Sequence, residues 1–330
     1  MRYFAKSLNP PMAISQILTK DRLVGILGRF SQVRAGVIGD LALDAYWFAD
    51  MTRARLSRET PHYPRPVVSE AYSPGAGGNV AQNLAALGVS RVMIFSVLGE
   101  DIWSNVLRDE LDRLNISTQG LLSHPRRRTT AYIKPILIGY DSRQEDARLD
   151  FENTLPLDDQ AEEQLLTIFE GQLGCLDCVL ISDQLEENGI ITPRLRARLA
   201  ELARSHSEIR FFADSRLHIH LFPGMVLKPN RLEALAAWRP RGDLHQADCS
   251  DLEQAGLALA QQSGQPVFLT LGYEGVLVCS KGRVKHIVAA PVRGALDTVG
   301  AGDTFFATLA ASLTAGADPW EAGAIANLAA

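Results

Sequence analysis

The chain has 330 residues, 46% apolar and 22% charged, with 33 Lys and Arg against 38 Asp and Glu for a formal charge of −5. That balance excludes a disordered tail, a collagen and a coiled coil, and offers no basic excess for a nucleic-acid partner. No apolar run reaches the ~18 residues of a membrane span, four cysteines do not make a disulfide framework, and the N-terminus lacks a secretory pattern, so a cytoplasmic address is expected.

In chain order, the first 33 residues carry one helical pattern at 17–30 and read as an appended segment, residues 1–33, ahead of a domain at 34–330. From there short apolar runs alternate with helical patterns. Strands are expected at 35–39, 92–97, 179–182, 210–213, 225–227, 267–270 and 276–279, and helices at 79–87, 102–114, 192–205 and 251–262. Near-continuous apolar strands between helices predict a parallel sheet covered on both faces. Residues 45–72 and 129–150 break this rhythm and read as β-excursions that form a small lid. Arg126–Arg128 is the densest basic cluster and reads as a solvated loop.

Cys175 and Cys178 form a C-x-x-C that runs directly into the apolar 179–182, at a strand entrance. A thiol pair of the thioredoxin kind belongs at the start of a helix instead, and zinc needs two further ligands that no neighbouring motif supplies. The strongest chemical signal is Asp297-Thr298-Val299-Gly300-Ala301-Gly302-Asp303-Thr304, followed by the apolar 305–317. A Gly-Ala-Gly turn opening a helix aims backbone N–H groups at one point, which suits an anion. Asp303 could cap that helix or act as a general base, and local physics leaves both open.

The same residues resemble the D-T-x-G-A-G-D signature of the PfkB, or ribokinase-like, carbohydrate kinases. Four more landmarks follow the family's order: Gly39-Asp40 with Asp44; Gly75 to Ala81 with Asn83; Pro229 to Glu233; and Thr270 to Gly275. The resemblance implies a ribokinase-like three-layer α/β/α fold with a mostly parallel central sheet and a small β-lid. It implies an ATP-dependent sugar kinase with Asp303 as base and the backbone of Gly300, Ala301 and Gly302 as anion hole. Asp40, Asp44, Gly77, Gly78, Asn79 and Asn83 are then the sugar-binding set. Asn230 and Glu233 hold Mg²⁺ through water, Thr270, Gly272 and Gly275 border ATP, and Asn327 reaches the adenine. A monovalent cation is a further possible cofactor.

Within the family, Arg55-Leu56-Ser57-Arg58-Glu59-Thr60-Pro61, continuing to Pro66-Val67-Val68, is similar to a stretch of the heptose-7-phosphate kinases, as is Arg148-Leu149-Asp150-Phe151-Glu152. That similarity implies transfer to the anomeric hydroxyl of an already phosphorylated sugar, with Arg55, Lys134 and Arg148 as candidate partners of its phosphate. Three features depart from the pattern. Residues 184–189 hold no lysine, about three extra residues lie between Pro61 and Pro66, and the glycine order in 75–78 is altered. The alternatives are a kinase for another sugar or sugar acid, or a silent sugar- or nucleotide-binding module. A dinucleotide oxidoreductase is disfavoured, since no G-x-G-x-x-G follows the first strand. Pairing of exposed lid edges makes a homodimer the expected assembly. The family's later nucleotide-pocket elements are expected beyond Ala330.

Overall fold

A computed structural model describes residues 11–240, 247–291 and 298–330; Asp297, the first residue of the signature, lies outside them. Two sheets organise these residues. The central sheet is built on β1 (Arg34–Gly39), flanked on one side by β4 (Arg91–Gly99) and β5 (Ser117–His124). On the other side come β9 (Cys178–Asp183), β10 (Arg210–Ser215), β11 (Val226–Leu227) and β12 (Val267–Thr270), all parallel. The antiparallel hairpin of β13 (Val276–Ser280) and β14 (Arg283–Ile287) closes that edge.

Parallel strands need crossovers, and helices supply them on both faces. One face carries α2 (Gly77–Ala86), α8 (Ala301–Thr314) and α9 (Pro319–Ala329), whose apolar residues pack with Val37, Ile94 and Phe268. The other carries α4 (Asp159–Gln172), α5 (Pro193–Ser205), α6 (Arg231–Trp238) and α7 (Cys249–Ser263), packed on Ile38, Phe95, Val179 and Leu269. The result is the expected three-layer α/β/α arrangement. The alternation of inward residues explains why the central strands read as continuous apolar runs: both of their faces are buried.

The chain leaves the central sheet at Asp40. Its neighbour Gly39 has φ +135°, and a Cβ there would lie 2.1 Å from the Ser182 carbonyl oxygen, so only glycine allows this exit. β2 (Leu41–Asp50) then opens a second sheet with β3 (Val67–Ala76), β6 (Thr130–Ile138) and β7 (Arg143–Glu145), while β8 (Leu149–Phe151) pairs with the remaining length of β6. This is the lid foreseen at 45–72 and 129–150, with its register set by Asp44 opposite Ser73 and Tyr132.

Of the N-terminal segment, residues 11–33 pack on the domain's body. Among them, α1 (Lys20–Leu27) is capped by Thr19, Ile26 and Phe30 are buried in the core, and Arg22 forms a two-point ion pair with Glu321 of α9. Ahead of it Met12 bonds across the open edge of β14, donating to the His286 carbonyl at 2.8 Å and accepting from Val288 N–H at 3.1 Å. A sheet edge otherwise left unpaired is thereby covered.

Candidate active site

The site gathers where strand ends from both sheets meet the start of α8. Gly300 precedes that helix with φ +80°, and a Cβ on it would lie 3.0 Å from Asn79 Nδ2. The turn therefore needs glycine for both its dihedral and its clearance. Asp303 lies in the first helical turn beside backbone donors that have no acceptor within the helix. It does not serve as the N-cap, which is Gly300. Its carboxylate instead accepts a 2.7 Å hydrogen bond from Asn79 Nδ2. Asn83, one turn further along α2, accepts from Thr304 Oγ1 at 3.1 Å and donates to the Asn79 carbonyl at 2.9 Å. Asn79 thus reaches the Asp303 carboxylate, and Asn83 braces α2 against α8.

Burial raises the pKa of Asp303, opposed by the Asn79 hydrogen bond and reinforced by the negative charge of Asp214. A carboxylate shifted upward is a better proton acceptor once ionised. Lys228 follows β11, is buried, and ion-pairs with Asp214 at 3.0 Å. Its Nζ lies 3.8 Å from the position a Gly302 Cβ would take, beside the Gly-Ala-Gly turn. Burial works against this ammonium, but the charges of Asp214, Glu233 and Asp303 outweigh it and raise its pKa. Lys228 was not among the residues expected from sequence, although it directly precedes Pro229-Asn230 and the apolar 225–227 marked it as buried.

Residues 50–330 match the pfkB family of carbohydrate kinases. The chain belongs to that family. It has a ribokinase-like fold. It is 33% identical over 304 residues to the protein named "Bifunctional protein HldE" of Nitrobacter winogradskyi, covering 90% of this chain and 59% of that one. With the protein of the same name from Trichlorobacter lovleyi it shares 33% identity over 317 residues, covering 95% and 62%. The chain spans about three fifths of the length of these relatives. Among solved structures it resembles the ribokinase of Thermotoga maritima, with a TM-score of 0.64, 22% identity and coverage of 89% and 90%. Phosphofructokinase-2 of Escherichia coli gives 0.62, 19%, and 87% and 88%.

The kinase's other expected site residues fall into distinct settings. Asp44, on β2, ion-pairs with Lys134 of β6 at 2.8 Å, and the lysine also donates to Tyr46 at 3.3 Å. Arg148 grips Asp150 through two 2.6 Å bonds and stacks 4.4 Å over the Tyr132 ring. Gly77 and Gly78 are close-approach glycines: added Cβ atoms would lie 2.8 Å from the Asp40 carbonyl and from Pro74. Arg55 is exposed in the connection after β2 and joins no ion pair among the described residues.

Asp40 departs from its expected place in the sugar-binding set. It is 0% exposed, and its carboxylate accepts the backbone N–H groups of Gln184, Leu185 and Ile190 at 2.7–2.8 Å. Burial pushes its pKa up to about 6. In this conformation the side chain holds residues 184–190 against the sheet. Arg127 corrects the reading of 126–128 as a solvated loop, because it is 7% exposed and donates to the Asn188 carbonyl at 2.9 Å. It supports the same loop, with its charge toward Asp40.

Asn230 and Glu233 form a reciprocal capping box at the start of α6, with bonds of 2.6, 2.7 and 3.0 Å. Burial and the charge of Asp214 push Glu233 up to about 7. Both of its oxygens are engaged, and the described residues hold no cluster of three metal-ligating side chains. Thr270 docks on the Pro229 carbonyl, while Gly275, with φ +98°, lets its turn touch the backbone at 287–289. Gly272 has open space beside it. Asn327 donates to the Ile287 and Val288 carbonyls at 3.3 and 2.8 Å, fixing α9 to the end of β14. As for the C-x-x-C, Cys178 opens β9 and is fully buried, which pushes its thiol up to about 12 and leaves it unreactive.

Proposed function

We propose that this kinase transfers the γ-phosphoryl group of ATP to the anomeric hydroxyl of a heptose 7-phosphate. The observation that carries the reading is the Asp303 carboxylate, hydrogen-bonded by Asn79 and set in the Gly-Ala-Gly turn beside Lys228. Asp303 takes the proton of the attacking hydroxyl, and the backbone at Gly300, Ala301 and Gly302 stabilises the phosphoryl oxygens as they gain charge. Lys228 adds a fixed positive charge at that point. Asp44 and Asn79 orient the sugar, with Lys134 and Arg148 supplying cations for a phosphate already on it.

ATP borders Thr270, Gly272 and Gly275, with Asn327 shaping the adenine side through the backbone it holds. Asn230 and Glu233 would hold a hydrated Mg²⁺, which neutralises phosphate charge when bound. The relatives named HldE and the R-x-S-x-E stretch at 55–59 support the heptose assignment. A homodimer formed through the lid would cover Val67, Val68 and Leu149, which are exposed there. One observation favours a second reading, a kinase for a different sugar or sugar acid: residues 184–190 lack a lysine and close over Asp40.

A coupled ADP-release assay over a panel of sugars, sugar acids and sugar phosphates tests both. Turnover highest with heptose 7-phosphate, with Lys134→Ala and Arg148→Ala raising its KM but not that of ATP, is the expected result. Preference for an unphosphorylated sugar would select the second reading, and no turnover with any member would remove both.

A further inference from the structure

A cavity of about 840 Å³ lies remote from Asp303. It opens at the other end of the central sheet. Arg210, the first residue of β10, lines it, whereas Asp214 at the far end of the same strand belongs to the catalytic cluster. Likewise α8 carries Asp303 in its first turn and Leu313, a cavity wall residue, in its last, about 15 Å away along the helix.

Arg210, Lys281 and Arg283 surround the opening, and none forms an ion pair among the described residues. Only one acid lines it, Asp318, whose carboxylate is occupied in capping α9 through the Trp320 and Glu321 N–H groups. Such an excess of cations is unexpected in a chain of net charge −5. Lys281 adds a second, independent sign. It has φ +50° in the two-residue turn between β13 and β14, a position where asparagine or glycine is unstrained. Placing a lysine there costs backbone energy, and such strain gathers at functional positions. Beyond the cations the wall is mixed: Gln261, Gln265 and Ser280 stand beside Leu257, Leu313 and Trp320.

We infer that this cavity is a second binding site, for a nucleoside phosphate. The volume is that of a small-ligand pocket. Lys281 and Arg283, at one hairpin turn, match a diphosphate, with Arg210 on β10 as a further cation of the lining. The Trp320 ring with the amides of Gln261 and Gln265 matches a base, which needs both stacking and hydrogen bonds. The site is separate from the catalytic nucleotide position, so it survives or fails independently of the function proposed above.

Backbone hydrogen exchange on the intact protein with ADP tests this. The expected result is slowed exchange at 280–283 and 317–320. Lys281→Glu with Arg283→Glu should abolish that slowing and weaken binding there about tenfold or more, with exchange at 270–275 unaffected. Arg210→Ser is a second variant, remote from the turn, expected to weaken the same signal. Exchange at 280–283 that ADP leaves unchanged, or slows equally in the double variant, overturns the site. Equal slowing by inorganic tripolyphosphate overturns the nucleoside assignment.

Discussion

Asn79 donates its side-chain amide to Asp303 at 2.7 Å, joining the first turn of α2 to the first turn of α8. Two helix starts on one face of the sheet thus meet through a polar contact. Because that bond favours the ionised carboxylate while burial disfavours it, Asn79 sets how basic Asp303 is.

Replacing Asp303 with Asn should lower kcat by about 10²–10⁴ while leaving ATP binding intact. Asn79→Ala removes the influence that lowers the Asp303 pKa, so the acid limb of the kcat/KM profile should move to higher pH. A pH–rate profile identical to wild type would show that Asp303 is not the group titrating.

Lys228→Met should reduce kcat by about 10²–10³ through loss of a charge at the anion turn. It also strands Asp214, at a cost of about 3–5 kcal/mol in stability. Lys228→Met with Asp214→Asn separates the two effects: chemical denaturation should recover stability while turnover stays low. Recovered turnover in the double variant would make Lys228 purely structural.

Asp40 predicts a pH dependence of folding. Its pKa is about 6 in the folded protein against an ordinary 3.8, so the folded state holds its proton more tightly. Stability therefore falls as pH rises from about 4 to about 6, by about 3 kcal/mol, and then levels off. Asp40→Asn should show a flatter profile across that window in urea titrations. An unchanged slope would mean that Asp40 is ionised throughout.

Ala76, at the entrance to α2, has φ +51° and ψ −128°, a backbone region suited to glycine. Ala76→Gly should raise stability by about 1 kcal/mol, against the usual loss for a glycine substitution. Gly77→Ala should lower it, because the new Cβ would meet the Asp40 carbonyl at 2.8 Å. Urea midpoints for the two variants should move in opposite directions.

Much of this was legible locally. Strand runs, helix periods and the Gly-Ala-Gly turn are short-range patterns, and residues 45–72 and 129–150 announced the lid by lacking a helical period. Other features depend on partners far along the chain. Arg127 reads as one of three solvated arginines until the loop at 184–190 folds onto it. Asp40 reads as a sugar-binding carboxylate until three amides, some 145 residues later, close around it. Lys228 has only its place between the apolar 225–227 and Pro229-Asn230 as a local mark; its setting comes from Asp214 and from the approach of Gly302. Asn230 and Glu233 show the reverse, since their spacing suits both a capping box and an ion site, and only the folded helix start reveals that the box is made.

The bridge from Met12 to Ile287 bears on how the molecule is assembled. Residues near the start of the chain bond to the last strand of the central sheet, so their partner is synthesised only when most of the domain already exists. During translation this segment must wait unpaired, and its docking is among the longest loop closures in the fold. Protection of the Met12 amide would therefore serve as a late clock for folding, reporting that the hairpin at the far edge has taken its place.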